Sequence, residues 1–174
     1  MALTLHSAFI PSVLQIIGSV ANMVNQAEAW CDENGHAHDE ILNARLIEDM
    51  LPFAKQVASC RSHSIRAIEG LRTGVFTPDM SPPPSSFDEL RELLSKTIAE
   101  LGDVSSDDLE EWGAKDMQFQ VGDQFKLDFV GQDFLLTLSQ PNFYFHATTA
   151  YDILRMKGVP LGKRDYLGAL RLKV

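Results

Sequence analysis

The sequence is short of cysteine and of positive charge. Cys31 and Cys60 are its two cysteines and no CxxC occurs, so two free thiols in a reducing compartment are expected in place of a disulfide framework. Lys and Arg number 15 against 24 Asp and Glu, a formal net charge of -9. A surface poor in cations argues against non-specific nucleic-acid binding and against docking on anionic lipid. No Lys or Arg precedes Arg45, so the N-terminal stretch lacks the basic start of a secretory signal. A membrane span wants about 20 uninterrupted apolar residues. His6, Ser7, Pro11, Gln15 and Asn22 interrupt the N-terminal candidate. The expectation is a cytoplasmic protein with no membrane and no nucleic-acid partner.

Familiar chemical signatures are missing too. There is no GxGxxG or GxxxxGK[ST] to cradle phosphate and no GxSxG elbow to present a serine. His38-Asp39-Glu40 opens like a zinc-protease helix but has no histidine four residues on. His36-Ala37-His38 lies in a polar turn, where histidines commonly serve solubility; His6 and His63 also read as solvated.

What is present fits one domain, 1–174, with 45% hydrophobic and 22% charged residues. Residues 4–33 carry apolar positions at helical spacing from Phe9 to Trp30, closed by Asn34-Gly35. Residues 39–73 read as a second long helix, kinked at Pro52, with Asp39 as cap. Residues 74–85 read as a proline-rich loop. Ser86 to Glu89 is a capping box that starts a third helix ending at Gly102. An acidic stretch over 103–116 reads as a short helical turn. The apolar period then drops to two: Met117, Phe119 and Val121, then Phe125, Leu127 and Phe129, form a hairpin whose apolar face is expected to pack on the helices. A fourth helix over 133–157, interrupted near Pro141, precedes a basic tail. The class is all-α, a four-helix bundle with one small β-hairpin.

Two helical stripes suggest a site. At about 100° per residue, His146 borders the face shared by Phe143, Ala147, Ala150 and Leu154. Asn142 and Thr149 stand beside it. On the second helix, Leu42, Leu46, Met50, Phe53 and Val57 make an apolar stripe flanked by Arg45, Asp49 and Gln56. Facing each other, the stripes would enclose Arg45, Asp49, Gln56, Asn142, His146 and Thr149. A histidine beside an apolar face is commonly a satisfied core residue, and the run Phe143 to Phe145 with Tyr151 commonly core. The density of hydrogen-bonding groups at core margins is what points to a ligand, because such groups are costly unless paired.

Three segments resemble one family. Arg45-Leu46-Ile47-Glu48-Asp49-Met50-Leu51-Pro52 with Gln56-Val57 is the first. Pro141 to His146 with Thr148 to Arg155 is the second. Gly158 to Lys163 with Asp165 to Gly168 is the third. Together they resemble the family of unknown function DUF1993, over nearly the whole chain. The resemblance implies a fold related to DinB-like four-helix bundles. That superfamily includes metal-dependent enzymes, some of them thiol-dependent transferases, that use three histidines. Here the triad fails: four residues after His146 stands Ala150, and the second helix offers Asp49. A divalent metal held by Asp49, His146 and water is not favoured, since one imidazole and one carboxylate make a weak zinc site.

The expected function is therefore small-molecule binding, with acid–base chemistry of isomerase, cyclase or hydrolase type on a hydrophobic substrate as the enzymatic form. His146 would transfer the proton, Asp49 would orient it, and Tyr144 or Tyr151 would donate to a developing oxyanion. Arg45, Gln56, Asn142 and Thr149 would hold the ligand. The alternatives are a metal-dependent transferase or hydrolase and a non-enzymatic stress or interaction protein; a homodimer is compatible with each.

Overall fold

The computed structural model describes residues 3–173; Met1, Ala2 and Val174, which the single-domain expectation includes, lie outside them. The first helix, α1 (Leu5–Asn34), starts at a reciprocal cap. The Thr4 hydroxyl accepts the Ser7 N–H at 3.1 Å, and the Ser7 hydroxyl accepts the Thr4 N–H at 2.9 Å. Gly35 closes the helix in the left-handed region, φ 70°, with its N–H on the Cys31 carbonyl. By length and composition α1 would suit a membrane, with mean hydropathy 1.5 over an 18-residue window, but half of that window is buried in the fold. Val13, Ile17, Val20, Val24 and Ala27 form its inner face.

The expected second helix is three helices: α2 (His38–Leu42), α3 (Phe53–Ser62) and α4 (Ile65–Thr73). Residues 43–52 form a loop whose ends are joined by a hydrogen bond from the Phe53 N–H to the Ala44 carbonyl, 2.8 Å. Pro52 does not kink a helix; it stands in extended backbone as the cap that begins α3. The expected stripe is correspondingly broken: Leu42, Phe53 and Val57 are buried, while Leu46 is 37% exposed.

The proline-rich loop contributes a strand, β1 (Val75–Phe76). It pairs in parallel with β2 (Asp116–Val121), which pairs antiparallel with β3 (Phe125–Val130). The hairpin is thus part of a three-stranded mixed sheet, and the all-α expectation is corrected at this point. Met117↔Phe129, Phe119↔Leu127 and Val121↔Phe125 share one face. The base of that face packs on Phe76 and Phe134, whose rings lie 5.3 Å apart. Its tip does not reach the helices: Val121 and Phe125 are exposed, Phe125 meeting only Phe119 edge-on at 6.1 Å among the aromatic rings.

The Ser86 hydroxyl accepts the Glu89 N–H and starts α5 (Phe87–Gly102). Ser105 caps α6 (Ser106–Gly113), the expected acidic turn. The last long helix runs as α7 (Gly131–Asp133), a wide π-helical stretch (Phe134–Ser139) and α8 (Gln140–Met156). The Gln140 N–H reaches back five residues to the Leu135 carbonyl. That widened turn carries the chain past Pro141, whose ring would crowd an ordinary turn. A short α9 (Lys163–Leu167) lies on α1.

Helices dominate the architecture. Of the longer ones, α1 packs on α5 and α8, and α3 packs on the same two. Phe9, Phe53, Phe87, Phe134 and Phe143 fill the space between them. Polar clamps mark the edges: Arg61 on α3 bonds Glu100 at 2.5 Å and Thr97 at 3.0 Å on α5, and Arg91 on α5 bonds Glu28 on α1.

Candidate functional site

The site starts at the break between α3 and α4. Ser64 leaves helical backbone (φ -122°, ψ -97°), and its hydroxyl turns back to the Cys60 carbonyl at 2.6 Å without capping α4. The break sets His63 at the end of α3. From the π-helical stretch, Ser139 donates its hydroxyl to the His63 carbonyl at 3.2 Å and ties that end to the last helix. About two turns further along, on α8, stands His146. Its ring is stacked near-parallel to that of His63, with centroids 5.5 Å apart.

Gln56 on α3 decides the state of His146. Its amide nitrogen donates to the Leu51 carbonyl at 3.1 Å, so its oxygen is the atom facing His146 Nδ1 at 2.7 Å. An amide oxygen only accepts, so Nδ1 carries the proton and Nε2 carries the lone pair. Nε2 has no protein partner among the described residues and is not shut away from solvent. His63 has the opposite arrangement. Its Nδ1 is buried without a partner. An orphaned buried N–H is rarer than an orphaned acceptor, which places the His63 proton on Nε2. Burial pushes both imidazoles down to about 4, His63 also through its neighbour His146, so both rings are neutral near pH 7.

Both rings line a cavity of about 560 Å³. The 43–52 loop, α3 and residues Pro78 to Pro83 form its other walls. Lys55 straps the last of these onto α3 by donating to the Asp79 and Ser81 carbonyls at 2.9 and 2.6 Å. A shallower hollow of about 650 Å³ on the sheet touches none of the expected site residues.

The structure brings Arg45 and His146 to the cavity wall, with Gln56 behind His146. Arg45 reaches it from the loop, with its guanidinium on the Met50 carbonyl, and forms no helical pair with Asp49. Asp49 is exposed in the same loop and lines no part of the cavity, so the expected Asp49–His146 pairing is replaced by Gln56–His146. Asn142 is turned to its own helix, donating to the Leu138 carbonyl at 2.8 Å. Thr149 is buried but not at the cavity. Tyr144 and Tyr151 lie roughly 140–160° round α8 from His146. Tyr151 packs on Tyr166 of α9, centroids 6.0 Å apart. What sequence reasoning missed is His63, Lys55 and Ser59. The available signal was spacing: Gln56, Ser59 and His63, at i, i+3 and i+7, share one helical face.

The fold class raises the matter of a metal held by three histidines. The residues here do not fit one. Among the described residues no group of three or more His, Cys, Asp or Glu is gathered. His63 and His146 are two imidazoles, and one nitrogen of His146 is committed to Gln56. His36 and His38 engage Glu40 and Asp32 separately at the surface. Cys60 is fully buried, its thiol pushed up to about 12 by burial, and is inert as a nucleophile.

Comparison with known proteins bears on the fold and the family. The chain is similar to the crystal structure of a DinB family member protein from Shewanella denitrificans, with 27% identity and a TM-score of 0.82 over 98% of this chain and 95% of that one. No curated protein matches. The model of the domain of unknown function DUF1993 matches residues 5–167, and the chain belongs to that family.

Proposed function

We propose that the protein is a single-domain, DinB-like four-helix bundle that binds a small molecule beside His146 and moves a proton on it. The observation that carries this reading is the Gln56–His146 hydrogen bond at the cavity wall. It holds a neutral imidazole with its lone pair available to a ligand, the state a general base needs. His63 supplies the complementary group, an N–H donor beside it. Base and donor side by side suit proton abstraction next to a carbonyl, with His63 donating to the oxygen that gains charge. Isomerisation, cyclisation and dehydration share that step. A purely internal hydrogen-bond network would not need the cavity, so the cavity favours a ligand.

A cytoplasmic setting and a homodimer belong to the same proposal. Two buried, unbridged thiols support the first, and the exposed apolar hairpin tip at Val121 and Phe125 supports the second. The test is a thermal-shift survey of small carbonyl compounds and carboxylic acids against the wild type and His146→Ala. Ligands that stabilise the wild type and lose that effect in the variant are expected. Equal stabilisation of both proteins would place the site elsewhere.

A further inference from the structure

The cavity walls say what kind of molecule would enter. One part is apolar: Leu51, Pro52, Met80, Pro82 and Pro83 contribute side chains with no hydrogen-bonding group. Another part is cationic. Arg45 and Lys55 both line the cavity, and neither has a carboxylate within ion-pair distance among the described residues. Asp79 is the one acid among the described wall residues; it is held by Arg66 at 2.7 Å and by the Ser81 N–H at 2.9 Å, and Lys55 also acts on its charge, so the wall sets two cations against one acid. Lys55 is held in place by two carbonyls, which leave its third N–H free. Arg45 spends one N–H on the Met50 carbonyl and keeps the rest of its fork. The neutral histidines add no charge of their own. The cavity is thus locally positive in a chain whose net charge is -9. Of the apolar wall residues Pro52 is buried, while Leu51, Met80, Pro82 and Pro83 are exposed, as is Arg45, so the two cations act on an anion across a groove open to solvent.

Resting on the ligand-binding reading above, we propose that the cavity takes an apolar molecule bearing one anionic group, its charge met by Lys55 and Arg45 and its body by Leu51 and the prolines. A hydrogen-bond donor on that molecule meets His146 Nε2. A cavity of about 560 Å³ suits a body of drug-like size.

Two dyes with one skeleton test this. Anilinonaphthalene sulfonate is apolar, carries an N–H and bears one anionic group; N-phenylnaphthylamine is the same skeleton without the sulfonate. Titration of the full chain with each, followed by fluorescence and by NMR of the histidine side chains, separates site from charge. The expected result is one equivalent of either dye, with His63 and His146 resonances shifted by both, and the sulfonate bound at least about tenfold more tightly. That preference shrinks in Lys55→Met and in Arg45→Met and vanishes in the double variant; Arg45 is exposed, so its substitution leaves folding intact. Equal affinity for the two dyes, or a preference that survives the double substitution, overturns the anion assignment and leaves the ligand-binding reading standing. Dye binding that leaves both histidines unmoved overturns both.

Discussion

Gln56 accepts the Nδ1 proton of His146 at 2.7 Å, and by doing so it sets which imidazole nitrogen faces the cavity. Gln56 is itself oriented by the Leu51 carbonyl, at the end of the loop before Pro52. Replacing Gln56 by Leu keeps the volume and removes the acceptor. The buried Nδ1–H is then orphaned, at a cost of about 1–3 kcal/mol. The Gln56→Glu substitution has the opposite sense for His146: a carboxylate at the same position favours the imidazolium and raises the histidine from about 4 toward or above its ordinary range. Nitrogen NMR of the imidazole reads both tautomer and titration. A His146 that keeps its low titration point in the Gln56→Glu protein would show that burial alone sets its state.

The two depressed histidines make stability depend on pH. In the unfolded chain both titrate near 6.5, and in the fold both are pushed down to about 4. Between those values the unfolded chain binds more protons. Stability is therefore complete above about pH 6.5, falls as pH drops toward 4, and levels off once both states are protonated. At about 1.4 kcal/mol per unit, on the order of 3 kcal/mol per histidine is an upper bound. Denaturant unfolding at pH 7, 5.5 and 4, on wild type and on His63→Asn/His146→Asn, isolates the contribution. A double variant with the same pH slope as the wild type would assign the slope to other groups.

Asp49 is the partner that helical spacing suggests for His146, and the fold keeps the two apart. It is exposed in the 43–52 loop, away from the cavity, and forms no ion pair among the described residues. Asp49→Ala should change stability by less than about 0.5 kcal/mol, as surface substitutions do. It should also leave ligand-induced thermal shifts untouched, whereas His146→Ala abolishes them. A loss of binding in Asp49→Ala equal to that in His146→Ala would mean that the loop closes over the ligand and carries Asp49 inward.

The helices legible in the sequence are those with local signals at their ends. Asn34-Gly35 closes α1, Ser86 and Gly102 bracket α5, and each carries an apolar stripe that the fold buries; the Thr4 cap of α1 shows only in the structure. The 43–52 loop reads as helix because Leu42, Leu46 and Met50 repeat at helical spacing. What ends the helix there is non-local, the Phe53 N–H bonding the Ala44 carbonyl across the loop, and periodicity does not register such a closure. Strand β1 is hidden for a similar reason: two residues have no period, and they become a strand only because β2 offers a free edge. In the site, His146 and Gln56 are visible from their faces on amphipathic helices. His63 is not, because Arg61, Ser62 and Ser64 make its neighbourhood look solvated, and its burial comes from the Phe76 and His146 rings. Both rings arrive from other parts of the chain.

Gly131 offers the sharpest structural test, because it sets the start of the helix that carries His146. It opens α7 against the end of α6, with its N–H on the Lys115 carbonyl at 2.8 Å. A methyl group there would stand 2.7 Å from the Trp112 carbonyl oxygen and 3.2 Å from Gly113 backbone. Those atoms are main chain within a packed helix end, so they do not rotate aside as a side chain would. Gly131→Ala should therefore destabilise by about 1–3 kcal/mol, the usual cost of overpacking. It should also displace the π-helical stretch and weaken the Ser139–His63 tie downstream. Gly102→Ala is the control: an added methyl there meets nothing within 4 Å. Urea unfolding measures the first effect, and hydrogen exchange at the end of α3 measures the second. A Gly131→Ala protein as stable as the Gly102→Ala control would show that α6 and α7 separate freely, and the last helix would then not be anchored at this contact.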